Sequence, residues 1–294
     1  MAFQNFSEYY YCFNLLDIKM PNEKEQLKYY ERWMKKYSEV FKDNDFTCVE
    51  WELRCQKSMR EIFTASNFFI EAKKNLEMRC FSSYYFCLYY ALFHAIYSVL
   101  FFDTQSNIYN LLDITHRNII NLFVGVFANS SKDILTKDIE ELFKELKYKR
   151  EYYSYVTPFN NLFDYQNDIN RLEIALAQCF QLSSFHSLMV EKSYNKINGT
   201  VFKFEVESDV GAFICLFNNL FSKEDINERR ILDDSVKNIK IEILKYGCKP
   251  QYIALEVDHM LDEFHTYDKF YGETNENVLS IGDIWKFILK YICS

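Results

Sequence analysis

Glycine and proline are scarce in this chain. Its 294 residues include 6 Gly and 3 Pro, well under ordinary usage. Hairpin-rich sheets and doubly wound folds depend on glycine-bearing turns, so the scarcity argues against both and leaves an all-α chain, or nearly so. The cysteines lack any pairing pattern. All nine (12, 48, 55, 80, 87, 179, 215, 248, 293) are scattered, with an odd total and no CxxC. This argues against a disulfide framework or a zinc ribbon and fits free thiols in a reducing cytoplasm. No basic segment followed by an apolar run opens the chain, so no signal peptide is expected, and the sequons at Asn5, Asn129 and Asn198 would stay idle. There is no Gly-rich phosphate loop, nucleophile elbow or dinucleotide fingerprint, and no cofactor is expected. Positive charge is also short: the net charge of −8 excludes a generally basic nucleic-acid coat and leaves RNA contact to a local patch.

Aromatic side chains are abundant, with 23 Tyr and 28 Phe, so core helices are expected to pack through rings. The stretch 82–102, SSYYFCLYYALFHAIYSVLFF, is apolar on every side. It has the length of a membrane span, but five tyrosine hydroxyls and an imidazole would need partners in hydrocarbon. It is read as a buried central helix with no membrane role. Around it, helical spacing predicts helices near 21–41, 48–75, 115–128, 135–155 and 164–191. Helix 21–41 carries a stripe of Leu27, Tyr30, Trp33 or Met34, and Tyr37, and Thr115 reads as the cap of 115–128. Beyond a boundary placed near 193–199, VFKFEVE (201–207) alternates as a strand does. Helices are then expected at 209–221, 225–246, 251–267 and 281–292, with capping-box patterns at Ser222 and Ser280. The organisation expected is an N-terminal helical extension (1–48), a helical bundle (49–192) and a mostly helical C-terminal module of unknown role (193–294).

Four segments in this order carry a family likeness: the amphipathic helix ending near Ala72-Lys73, Tyr89-Tyr90-Ala91-Leu92-Phe93-His94-Ala95, Thr115-His116-Arg117-Asn118-Ile119-Ile120, and Arg150-Glu151-Tyr152-Tyr153-Ser154-Tyr155. Together they resemble the HEPN superfamily (higher eukaryotes and prokaryotes nucleotide-binding domain), in particular the members paired with minimal nucleotidyltransferases. The likeness covers about 49–192. It implies an antiparallel helical bundle, often dimeric, and for many members a metal-independent endoribonuclease acting in toxin–antitoxin or antiphage systems. The family's catalytic signature is an arginine followed after four to six residues by a histidine. Arg150 fits the arginine, but Tyr155, Val156 and Thr157 stand where the histidine belongs. A tyrosine with an ordinary pKa of about 10 is a poor base at neutral pH, so a nuclease here needs another proton acceptor.

The candidate site residues follow from this. Arg150, Tyr155 and His116 are the catalytic candidates, His116 because it begins a helix beside a cation. Lys144, Lys147, Lys149 and Tyr153 are the RNA-binding candidates, because cations interleaved with rings can hold phosphates and stack bases. The same run also reads as a solvated helix C-terminus. His94 reads as a buried histidine bonded to a carbonyl or carboxylate. Asp258, His259, Asp262, Glu263 and His265 read as a solvated acidic face, and no metal is assigned. Two functions compete: an RNA-engaging protein, cleaving or not, and a non-catalytic module binding a protein partner as homodimer, antitoxin or effector subunit. A third is an enzyme whose site lies in the C-terminal region.

Overall fold

A computed structural model describes residues 3–6, 13–42, 46–129, 133–156, 163–224, 230–231, 234–254 and 281–292. The helices among them are α1 (Asn14–Lys19), α2 (Glu23–Val40), α3 (Thr47–Glu77), α4 (Phe81–Leu100), α5 (Ile108–Leu112), α6 (His116–Phe127), α7 (Asp138–Tyr155), α8 (Tyr165–Ile197), α9 (Glu207–Phe221), α10 (Asp234–Tyr246) and α11 (Ile281–Ile292). The fold is all-α, as the missing turn residues indicate. Strand structure among the described residues is limited to a two-residue antiparallel pair, Lys223–Glu224 with Arg230–Ile231, and one isolated bridge between Phe202 and Cys248.

α4 lies at the centre, packed by α3, α6, α7 and α8. Leu88, Leu92 and Ile96 are fully buried, as are Tyr84, Tyr85 and Tyr89. The hydroxyls that made a membrane span untenable are answered inside the protein. Tyr84 donates to the Tyr165 carbonyl (2.7 Å), Tyr85 to the Asp168 carboxylate (2.8 Å) and Tyr97 to the Leu111 carbonyl (2.8 Å). No helix among the described residues is long and apolar enough to cross a membrane.

α8 is a second central helix that hydropathy does not reveal. Every residue from Ala175 to Val190 is buried, including Gln178, Gln181, Ser183, Ser184, His186 and Ser187. Its polar groups serve as docking points for the two ends of the chain. Leu15 N–H donates to the Gln181 side chain (3.0 Å) and Ile253 N–H to Ser187 (3.0 Å), while Ser184 donates to the Tyr252 hydroxyl (3.1 Å). The extension, the bundle and the C-terminal segments thus share one contiguous core. α9 packs on α3, and α11 on α3 and α8, with Phe287 stacked on Phe69 at 4.8 Å.

Three local expectations are corrected. The buried stripe of α2 is Gln26, Tyr29, Trp33 and Tyr37, while Leu27 is 45% exposed; Tyr29 and Tyr37 are drawn inward because both hydroxyls reach His186. Residues 201–207 do not form a strand, since Phe202 finds a partner only at Cys248, where Gly247 (φ +85°) brings the two backbones so close that a Cβ would stand 2.1 Å from the Phe202 carbonyl oxygen. Ser222 opens no helix: it closes α9, its hydroxyl donating to the Asn218 carbonyl (2.6 Å). The expected helix at 251–267 and the cap at Ser280 lie mostly outside the described residues.

His186 is fully buried between α2 and α4. Tyr37 donates its proton to the Phe102 carbonyl (3.0 Å), so its oxygen accepts from His186 Nδ1 (2.8 Å), and Nε2 accepts from the Tyr29 hydroxyl (2.8 Å). This arrangement suits a neutral imidazole, and burial, aided by the nearby Lys36 and Arg32 charges, holds its pKa well below the ordinary 6.5. As pH falls the unfolded chain takes up that proton first, so the stabilisation is complete above about pH 6.5 and is lost below it, with a slope reaching about 1.4 kcal/mol per pH unit. Urea unfolding at pH 7.5, 6.5 and 5.5 is expected to show this decline. His186→Gln, less stable at pH 7.5, is expected to show a shallower one; equal slopes would remove His186 from the acid response.

Candidate active site

The helices around α4 bring two of the three catalytic candidates together. Thr115 caps α6, its hydroxyl accepting from Asn118 N–H (3.3 Å), which makes His116 the first residue of the helix. Its imidazole is solvent-exposed yet fixed: Nδ1 is 2.8 Å from the Tyr89 hydroxyl, and the ring lies 4.5 Å from Phe93 and 5.6 Å from Tyr90, centroid to centroid. α7 then places the Arg150 guanidinium over the Tyr89 ring, 4.4 Å from its centre. Tyr89 is therefore the joint of the site, its face meeting the cation and its hydroxyl oxygen meeting Nδ1 of the imidazole.

Electrostatics sets the protonation states. Partial burial lowers the His116 pKa below 6.5, and Arg150, His94 and Lys147 push it further the same way. The imidazole is neutral at pH 7 and can accept a proton. Burial pushes the Tyr89 phenol up to about 12, with Arg150 opposing, so Tyr89 keeps its proton and acts by orienting. A neutral imidazole beside a guanidinium is the pairing of base and charge stabiliser that metal-free attack at a phosphodiester requires. Arg150 also meets the Glu151 carboxylate at 3.3 Å, and Lys147 approaches the same oxygen at 3.9 Å.

The remaining candidates are dispersed. Lys147 is exposed near Arg150, while Lys144 is exposed and paired with Glu140. Lys149 turns the other way and reaches both oxygens of buried Asp168 (2.7 and 2.8 Å), the carboxylate that also accepts from Tyr85. It acts as a core cation, and Lys149→Ala would strand that charge at a cost of about 3–5 kcal/mol. Tyr153 is 1% exposed, stacked on Tyr85 at 5.1 Å and edged by Phe163, so its ring is closed to a base. Tyr155 is 83% exposed at the last turn of α7. Thr157 and the 258–265 acidic cluster lie outside the described residues. Among the described residues no group of three His, Cys, Asp or Glu is arranged to hold a metal ion.

Sequence reasoning missed the joint itself, although Tyr89 stands in a quoted segment, because nothing local says which tyrosine of a run meets a helix 27 residues later. It also missed the partner of His94, whose Nδ1 is 2.6 Å from Glu61 on α3; the sequence left a carbonyl and a carboxylate open, and the ring is partly exposed where burial was expected.

An NMR titration is expected to place the His116 midpoint below 6.5, and Arg150→Met is expected to raise it. A midpoint unmoved by that change would show that the guanidinium does not act on the imidazole. Set against known proteins, the chain matches no family model, no curated protein and no solved structure.

Proposed function

We propose that this is a HEPN-like protein of a microbial toxin–antitoxin or antiphage defence system, and that it engages and cuts RNA without a metal ion at the Tyr89–His116–Arg150 face. The observation that carries the reading is the neutral, phenol-anchored His116 beside Arg150, which supplies the proton acceptor that the positions after Arg150 lack. The resemblance of 49–192 to the family supplies the substrate class. Arg150 neutralises the scissile phosphate and His116 takes the 2′-hydroxyl proton. Lys147 adds a second phosphate contact, and the partly exposed rings of Phe86 and Tyr90 offer faces on which bases stack.

A second reading keeps the fold and drops the chemistry, making the chain a non-catalytic module that dimerises or binds a protein subunit. It draws support from one surface feature. Phe86, 44% exposed, packs with Phe68 and Tyr90 on the outer side of α3 and α4, and exposed Met78 follows the end of α3, as an apolar interface requires.

Purified protein incubated with total RNA in EDTA separates the two. Wild type is expected to cut, and Arg150→Ala to cut about 10²–10³-fold more slowly. Binding titrations at two salt concentrations are expected to show weaker affinity and a flatter salt slope for Arg150→Ala. Glu151→Gln is expected to tighten binding by freeing the guanidinium. Intact RNA, with equal affinities and slopes for wild type and Arg150→Ala, would reject the RNA reading and leave the module.

A further inference from the structure

A second imidazole stands on the same surface as His116. His94 lies one turn beyond Tyr90 on α4, and its ring centroid is 5.3 Å from that of Phe93 and 6.4 Å from that of Tyr90. The His116 ring approaches these same two side chains at 4.5 and 5.6 Å. Both imidazoles therefore edge one aromatic patch, from α4 and from the start of α6.

Each is held from behind by a different group. His94 Nδ1 donates to Glu61 Oε2 (2.6 Å), and the other oxygen of that carboxylate takes Lys57 Nζ (2.8 Å). Glu61 is 4% exposed, so the carboxylate end of the pair is shielded from water. Burial pulls the Glu61 pKa upward, but the hydrogen bonds and charges of His94 and Lys57 outweigh it and leave the carboxyl below its ordinary range. The His94 ring is stacked on Phe68 (5.6 Å, 11°) and partly exposed, and its Nε2 makes no hydrogen bond among the described residues. A carboxylate on Nδ1 fixes that proton and presents Nε2 as the second proton-carrying atom.

We propose that His94 is a further catalytic residue, the general acid that protonates the leaving oxygen while His116 acts as base, on single-stranded RNA. This rests on the nuclease reading and specifies its chemistry. His116, as the tautomer whose Nδ1–H donates to the Tyr89 oxygen, takes the 2′-hydroxyl proton on Nε2, and the 2′ oxygen forms its bond to phosphorus. The bond from phosphorus to the 5′ oxygen breaks, and that oxygen receives a proton from the His94 imidazolium. The products are a 2′,3′-cyclic phosphate and a 5′-hydroxyl. His116 ends protonated and His94 neutral, and exchange with water restores both. Arg150 bears the phosphoryl charge throughout. The reaction requires a 2′-hydroxyl, so DNA of the same sequence is left intact.

A histidine that only staples α3 to α4 would be bonded to Glu61 in the same way, so the test must report on the leaving group. Two short single-stranded RNAs are compared in EDTA, one ordinary and one with sulfur in place of the bridging 5′ oxygen at a single linkage. A thiolate leaves without a proton. His94→Gln is expected to cut the ordinary RNA about 10²–10⁴-fold more slowly than wild type and the sulfur-bridged RNA at close to the wild-type rate. His116→Gln is expected to be slow on both. Glu61→Gln, which keeps His94 in place, is expected to follow His94→Gln to a smaller degree, and it serves if the His94 variant fails to fold by thermal melting. Wild type cutting both RNAs while the folded His94 variant is slowed equally on both, or on neither, overturns the proposal alone. Cleavage leaving 5′-phosphate ends also overturns it. Wild type cutting neither RNA overturns the nuclease reading and this assignment with it.

Discussion

Burying a tyrosine-rich helix on nearly every side commits each neighbour to answer a particular polar group, since an unpaired hydroxyl in the interior costs about as much as a hydrogen bond is worth. α4 imposes this on the whole protein. α8 answers through Asp168 and the Tyr165 carbonyl, the segment after α4 through the Leu111 carbonyl, and α6 through His116. α3 answers through Ser58, whose hydroxyl donates to the Ser98 carbonyl (2.8 Å). Each bond fixes the rotation and depth of a helix as well as its stability. The candidate active site is one of these answers, distinguished because the responding group is solvent-exposed.

How much of this was legible can be judged helix by helix. The central position of α4 followed from its all-round apolar character, and the inward faces of α7 and α8 followed from spacing: Ile139, Leu142, Phe143 and Leu146, like Ile169, Leu172 and Leu176, are buried. The depth of α8 did not follow. Its glutamines, serines and histidine lower its hydropathy, yet they are there because three other segments end on it, and partners 66 to 166 residues away leave no local trace. The α2 stripe held at Trp33 and Tyr37 but failed at Leu27 for the same reason, because Tyr29 turns inward to His186, 157 residues away.

The basic-aromatic run of α7 shows where a pattern cannot resolve function. Lys149 and Arg150 are adjacent, and successive residues project about 100° apart on a helix of 3.6 residues per turn. That angle sends Lys149 to buried Asp168 and Arg150 over Tyr89. Tyr153 is drawn inward beside Lys149, while Tyr155 faces water. A reading by composition pools all four as one patch. The three-dimensional reading divides them into a core ion pair with its stacked ring and a surface cation with one exposed ring, and only the second group can meet a ligand.

Chemistry becomes available where hydrogen bonding stops short of completion. In the α8 core each bond ends in another protein group: His186 uses both ring nitrogens, and Tyr37 passes its proton to a carbonyl. At the outer edge of α4 the same kinds of residue are bonded on one side only. Tyr89 and Glu61 hold one nitrogen of His116 and of His94, leaving the other nitrogen of each to whatever approaches. The partners behind them orient both rings before any ligand arrives, so binding does not have to order them. The constraint that makes α4 buildable, a partner for each buried polar group, therefore also produces oriented and half-satisfied imidazoles where the helix reaches the surface.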